Sequence, residues 1–142
     1  MDWFMRDINF VNNKMKTKSQ SQLKKTAWKL MSEYTRRKVC DWREIGRCIT
    51  CGTSIHWKEA NAGHFIHRDC LDFDFRNINF QCVRCNKYLG GNLVNYTLWM
   101  LDKYGKKTVE ELKKISNQPR YFTVRELKEI IEDLKQKLLE LK

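Results

Sequence analysis

Between Leu23 and Val39, apolar residues recur every third or fourth position, at Leu23, Ala27, Leu30, Met31 and Tyr34, which predicts an amphipathic helix. Its other face carries Lys24, Lys25, Lys29, Arg36, Arg37 and Lys38. A later helix runs from Asn92 to Tyr104, with Leu93, Tyr96, Leu98, Leu101 and Tyr104 available for packing and Gly105 as its stop. Thr108 with Glu111 and Thr123 with Glu126 each read as a capping box, opening a short helix near 109–116 and a long one over about 124–141. The long helix sets Leu127, Ile130, Ile131, Leu134, Leu138 and Leu141 in a seam of threes and fours, which suits packing onto its own domain or onto a second copy. Between the helical parts the pattern breaks. Residues 55–67 read as a hairpin, residues 71–81 as extended, and a further helix should begin near Cys85. The class is therefore α+β.

Composition narrows this outline. The chain has 142 residues, of which 42% are hydrophobic and 12% aromatic, enough for one modest core. A mean hydropathy of −0.68 points to a small nucleus with helical arms. Four parts follow: a basic, flexible N-terminus (1–22), a basic amphipathic helix and connection (23–46), a nucleus (47–105) and C-terminal helices suited to dimerisation (106–142). The formal net charge is +11. Residues 1–40 hold ten Lys/Arg against three Asp/Glu, whereas residues 123–142 hold five of each. A polyanion is the expected partner, and its binding surface should lie on the N-terminal and central parts. No apolar run approaches the roughly 20 residues of a membrane span, and no signal-peptide stretch opens the chain, so a cytoplasmic protein is expected.

Four of the six cysteines form two Cys-x-x-Cys pairs, Cys48–Cys51 and Cys82–Cys85. In a cytoplasmic chain this is the spacing of a tetrahedral four-thiolate zinc site, closed and therefore structural. Gly52 permits the tight turn that aims the first two sulfurs inward. Thirty residues separate the pairs, so the metal clamps the base of a loop. Cys40 and Cys70 stand alone and read as small buried side chains.

Inside that loop lies His64, followed by Asn77 and then by Asn86 directly after Cys85. This order resembles the motif of the HNH (His-Me finger) nucleases, whose ββα-metal unit sits between two such cysteine pairs. The segments starting at Arg47, Ile55, Ala62, Asn77 and Gly91, together with flanking stretches across residues 23–135, resemble the bacteriophage NinG/Rap recombination proteins. The resemblance implies a zinc-bound ββα-metal nucleus flanked by N- and C-terminal helices. It also implies a structure-specific endonuclease acting on branched recombination intermediates such as Holliday junctions and D-loops. A phage-encoded chain would work in the host cytoplasm.

Phosphodiester hydrolysis needs an activated water, neutralisation of charge on phosphorus and a stabilised leaving oxygen. On this reading His64 is the general base, since imidazole titrates near neutrality. Asn77 orients that histidine or its loop through its amide. Asn86 offers its carbonyl oxygen to a catalytic Mg²⁺ or Mn²⁺. Many HNH enzymes carry an aspartate ligand just before the histidine; here that position is Gly63. Either Asn86 and waters suffice, as in His-Cys box homing nucleases, or another group substitutes, with His67, Asp69, Asp72 and Asp74 close by in sequence. Arg47, His67, Arg68, Arg76, Arg84 and Lys87 are the candidate DNA contacts, and binding should weaken steeply with salt. Expected partners are branched DNA, a second copy of the chain and host or phage recombination proteins. The alternative is a zinc module that binds DNA or a recombination protein without cutting.

Overall fold

The computed structural model describes residues 18–141, so the expectation of a flexible segment at the N-terminus falls largely outside the described residues. Helix α1 (Gln20–Arg37) begins three residues before the apolar spacing implies, because Ser19 caps it. The Gln22 amide donates to Ser19 Oγ (3.2 Å), and the Ser19 amide donates to Gln22 Oε1 (3.0 Å). Its buried positions, Leu23, Ala27, Met31 and Thr35, fall one to a turn along a single stripe.

Two small antiparallel hairpins follow. Strand β1 (Ile45–Arg47) pairs with β2 (Ser54–His56), and β3 (Asn61–His64) pairs with β4 (Ile78–Gln81). Residues 55–67 are thus not one hairpin: β2 turns back on β1 through the first cysteine pair, and β3 seeks its partner across residues 65–77. The expected extended run over 71–81 shortens to β4. Asp69–Leu71 instead form a 3-10 turn. Past β4, a single wide helical turn (Arg84–Tyr88) ends at Gly90 and Gly91, both with positive φ. Helix α2 (Leu93–Tyr104) starts beyond that break.

Gly105, at φ 84°, ends α2 as expected and at once precedes α3 (Lys106–Ser116). The Thr108 capping box is therefore not formed; the turn at Gly105 starts the helix three residues earlier and leaves Thr108 inside it. Helix α4 (Val124–Glu140) does open on its capping box, with the Glu126 amide donating to Thr123 Oγ1 (3.1 Å) and the Thr123 amide to Glu126 Oε2 (3.1 Å).

Strand alternation organises the centre. Ala62, His64 and Ile78 share one face of the β3–β4 hairpin, and Gly63, Asn79 and Gln81 share the other. On the first face Ala62 and Ile78 pack with Met31 of α1 and Leu134 of α4. Leu23, Ala27, Phe122, Leu127 and Ile131 extend this seam between α1 and α4. The α4 seam that could have served a second copy is thus occupied by α1 of the same chain. Tyr96 and Met100 of α2, Leu112 of α3 and Leu71 form a second core. Leu93, Leu98 and Leu101 were expected to pack, yet they are exposed along with Val94, because α2 turns only its Tyr96–Met100 side inward. No described helix is long and apolar enough to cross a membrane.

Candidate metal centre and histidine site

The turn from β1 to β2 brings Cys48 and Cys51 together. The Cys48 amide donates to the Thr53 carbonyl (2.9 Å) and the Gly52 amide to the Cys48 carbonyl (2.8 Å), with Gly52 at φ 78° as its tight turn requires. Cys82 and Cys85 arrive at the end of β4, and the Cys85 amide points at Cys82 Sγ (3.4 Å). All four sulfurs lie within 4.8 Å of one another, and none is in a disulfide. Cys51 Sγ and Cys82 Sγ are 3.7 Å apart. A zinc–sulfur bond of about 2.3 Å in a tetrahedron gives an edge of about 3.8 Å, so the cluster fits a metal such as zinc.

Electrostatics supports the same fit. Burial would push the Cys48 thiol up, but the Thr50 hydroxyl and nearby amides bring it down to about 6. The Thr53 hydroxyl and amide lower Cys51. Burial and the neighbouring thiols push Cys82 up to about 12. Sulfurs this close do not all ionise without a counter-charge, and a divalent cation supplies one. Asn92 Nδ2 donates to Cys85 Sγ (3.5 Å), a contact of the kind that orients metal ligands from outside. Cys40 and Cys70 stand apart, their thiols bonded to the carbonyls of Arg36 and Ile115.

His64 ends β3 and is half-buried. Its Nε2 lies 3.0 Å from Asp72 Oδ1, and its ring stacks on Trp28 (4.8 Å) and on His67 (5.0 Å). An ionised carboxylate can only accept, so Asp72 places the ring hydrogen on Nε2 and leaves Nδ1 with the lone pair. Burial, then the adjacent His64, lowers the pKa of His67, against an opposing pull from Asp72.

Asn77 is fully buried, and the hydrogen bonds of its side chain go to the loop rather than to His64. Its Oδ1 accepts from the Ile66 amide (2.9 Å), and its Nδ2 donates to the Ile66 carbonyl (3.0 Å). Tyr96 Oη donates to the Gly63 carbonyl (2.8 Å) and receives Asn79 Nδ2 (3.1 Å), which fixes β3 from its other face. Desolvation raises the Tyr96 phenol well above its ordinary value, so it stays a donor.

Asn86 lies in the wide turn and lines a groove of about 410 Å³ with Trp28, Ala62, Arg36, Lys58 and Lys87. Trp28 therefore borders both this groove and His64. A side chain at position 63 has no room, because a Cβ there would stand 1.9 Å from Gln81 Oε1. Gln81 is pinned by bonds from its Nε2 to the Gly91 carbonyl (2.9 Å) and to Thr50 Oγ1 (3.2 Å). Among the described residues, the four cysteines are the one group of three or more metal-ligating Cys, His, Asp or Glu side chains. Beside Asn86 the groove holds no carboxylate, histidine or cysteine among the described residues, so only neutral oxygens such as the amides of Asn86 and Asn61 would be there for a hard cation.

The nominated DNA contacts divide. Arg47, His67, Arg68, Arg84 and Lys87 are exposed. Arg76 is committed elsewhere: it grips Asp74 (2.8 and 3.0 Å) and reaches Glu111 (3.1 Å), and these bonds raise its pKa. Trp28 and Gln81 are not among the residues the sequence singles out, and Asp72 appears there only beside His67, Asp69 and Asp74 as a possible substitute ligand. Trp28 lies beside the apolar stripe of α1 rather than in it, and nothing in the spacing distinguishes Asp72 from Asp69 or Asp74.

A family profile described as "Bacteriophage Lambda NinG protein" matches residues 7–142. Curated proteins similar to this chain include three called protein ninG. That of Escherichia phage 933W is 39% identical over 100 residues, covering 67% of this chain and 48% of that protein. Those of Escherichia phage lambda and Salmonella phage P22 are each 38% identical over 100 residues, covering 67% of this chain and 47% of theirs. The chain spans about half the length of these relatives. No solved structure matches it.

Proposed function

The chain belongs to the NinG family, and from that premise we propose that it is a zinc-clamped, HNH (His-Me finger) endonuclease that cuts branched DNA such as Holliday junctions and D-loops. The observation that carries the proposal is the His64–Asp72 pair (3.0 Å), half-buried at the end of a strand held by zinc-type cysteines at its base. Asp72 fixes the imidazole, and His64 Nδ1 takes the proton of the attacking water. Asn77 keeps the 65–77 loop, and so Asp72, in place. Arg36, Lys58 and Lys87 line the groove beside Asn86 and draw in the phosphate backbone. Asn86 is the residue that would hold Mg²⁺ or Mn²⁺, whose Lewis acidity would stabilise the leaving oxygen. The working compartment proposed is the host cytoplasm, with host or phage recombination proteins as further partners.

A four-way junction has two-fold character, and we propose a second copy of the chain to match it. Since α1 covers the α4 seam, the face offered is the uncharged arc of α2 carrying Leu93, Val94, Leu98 and Leu101. Sedimentation should show a dimer that Leu98→Glu dissociates; a wild-type monomer at concentrations well above those used for cleavage sinks this part.

The test of the nuclease is a labelled four-way junction offered to metal-stripped, zinc-retaining protein with and without Mg²⁺ or Mn²⁺. Cleavage should need the added cation and vanish in His64→Ala while binding persists. One observation favours a second reading, a zinc module that binds DNA without cutting: the space before His64 is filled by Gln81, leaving few ligands for a catalytic ion. Binding without cleavage under every cation decides for that reading.

A further inference from the structure

On the side of His64 marked by His67, a cavity of about 840 Å³ opens between the start of α1, the 3-10 turn at Asp69–Leu71 and the 117–123 loop. Its volume lies within the roughly 300–1,000 Å³ of small-ligand sites. Three cations, Lys24, Arg68 and Arg120, face one carboxylate, Asp69. The first turn of α1, with Gln20 and Ser21, also borders it and adds the positive end of a helix dipole. Lys24 and Asp69 are 3.3 Å apart, the lysine partly and the aspartate largely open to water, so their pairing is weak and exchangeable for a phosphate.

The most telling wall is Tyr121. It is 87% exposed, while the next residue, Phe122, is buried in the α1–α4 core and covered by the Arg120 guanidinium (4.6 Å). An anchored loop therefore presents a bare aromatic ring over a basic cavity. That is the combination by which proteins hold single-stranded nucleic acid: stacking for the base and cations for the backbone. A base inside a duplex has both faces covered by its neighbours and cannot use such a ring.

We infer that this cavity binds an unpaired nucleotide of the DNA strand that passes His64, with the base on Tyr121 and the phosphate among Lys24, Arg68 and Arg120. It deepens the nuclease proposal, and rests on it for the orientation of the strand. His67 lines the cavity and stacks on His64, so the held nucleotide lies one ring away from the His64–Asp72 pair. Branch selectivity then arises because junction, fork and D-loop strands can release a base at the branch, whereas intact duplex cannot.

The test measures binding without divalent cation, by anisotropy of a labelled thymidine 12-mer and of a hairpin duplex, on the full zinc-loaded chain. Tyr121→Ala should weaken the 12-mer about 5- to 150-fold, the range expected for one lost stacked base, and leave the duplex unchanged; Tyr121→Phe should restore it. Equal 12-mer affinity in Tyr121→Ala and wild type, with an unchanged melting profile, overturns the inference. So does equal loss on both DNAs. Thymidine monophosphate binding as tightly as the 12-mer would overturn it in favour of a free-nucleotide site. Because no cleavage is read, the result is independent of whether His64 is catalytic.

Discussion

The cysteine cluster and the His64 strand are built from the same two hairpins, yet their chemistry is organised in opposite ways. The cluster brings four sulfurs within 4.8 Å of one another and backs them with amides and hydroxyls, so its donor set is complete within the chain. At the strand, one imidazole is oriented by one carboxylate, Asn61 and Asn86 lie along a basic groove, and the position before the histidine is closed by packing. On the proposed function, the difference separates folding from catalysis: the complete set would hold its ion whether or not substrate is present, and the incomplete one would leave room for substrate to finish it.

Breaking the complete site should have the largest effect. Structural zinc contributes about 10–16 kcal/mol of apparent binding free energy in small zinc domains, comparable with the roughly 5–15 kcal/mol stability of a whole domain. Cys85→Ser is expected to lose stoichiometric zinc and the cooperative melt together, as read by metal analysis and circular dichroism. A variant that melts like wild type without metal would show the clamp to be dispensable. His64→Ala is the opposite break. Zinc content and melting should be kept while junction cleavage falls about 10²- to 10⁴-fold, the usual contribution of a general base.

Asp72→Asn sharpens the contrast from within the open site. The amide can still bond the ring, but it can hold the wrong tautomer and supplies no charge. A loss of about 10- to 100-fold in cleavage with unchanged DNA binding is expected, the scale of a partner that acts through another residue. Unaltered cleavage would reduce Asp72 to loop polarity.

Legibility followed the same division. Four cysteines at fixed spacing are readable because the metal, not the fold, dictates that spacing. Helices with a single apolar stripe were also readable, α1 and α4 most clearly. Asp72 was not, since its role depends on the 3-10 turn that brings it back eight residues to His64. Nor was the pairing of strands: residues 55–67 look like one hairpin locally, but the cysteine turn claims β2 for β1. Thr108 misled for a similar reason, as its capping box was a valid local signal overridden by the turn at Gly105. The apolar face of α2 gave too much, because periodicity marks a face without saying what covers it.

The packing before His64 gives a smaller and more diagnostic effect. Gly63→Ala forces a Cβ to within 1.9 Å of Gln81 Oε1, and overpacking of this kind costs about 1–3 kcal/mol. Gln81→Ala in the same chain should return part of that loss, a coupling measurable as a double-mutant cycle in denaturant. If Gln81→Ala returns none of the loss, the Gln81 side chain is not what closes position 63.

The smallest expected effect is on acid stability at His67. Burial and the neighbouring His64 hold its folded pKa below the ordinary 6.5. Below 6.5 the unfolded chain therefore takes up the proton more readily than the folded one, and unfolding is favoured. The contribution is fully present above pH 6.5 and falls away as pH drops from 6.5 to the folded value, below which it adds no further slope. His67→Gln should flatten that part of a stability-against-pH curve from denaturant melts, and leave the neutral side unchanged. Because His67 is exposed at its edge, the change should be modest. It should also persist in zinc-saturated protein, since the cysteine cluster is a separate site. A curve for His67→Gln that overlays wild type from pH 5 to 7 would show that the ring stack on His64 does not penalise charge, and that the open site tolerates a cation where this geometry says it should not.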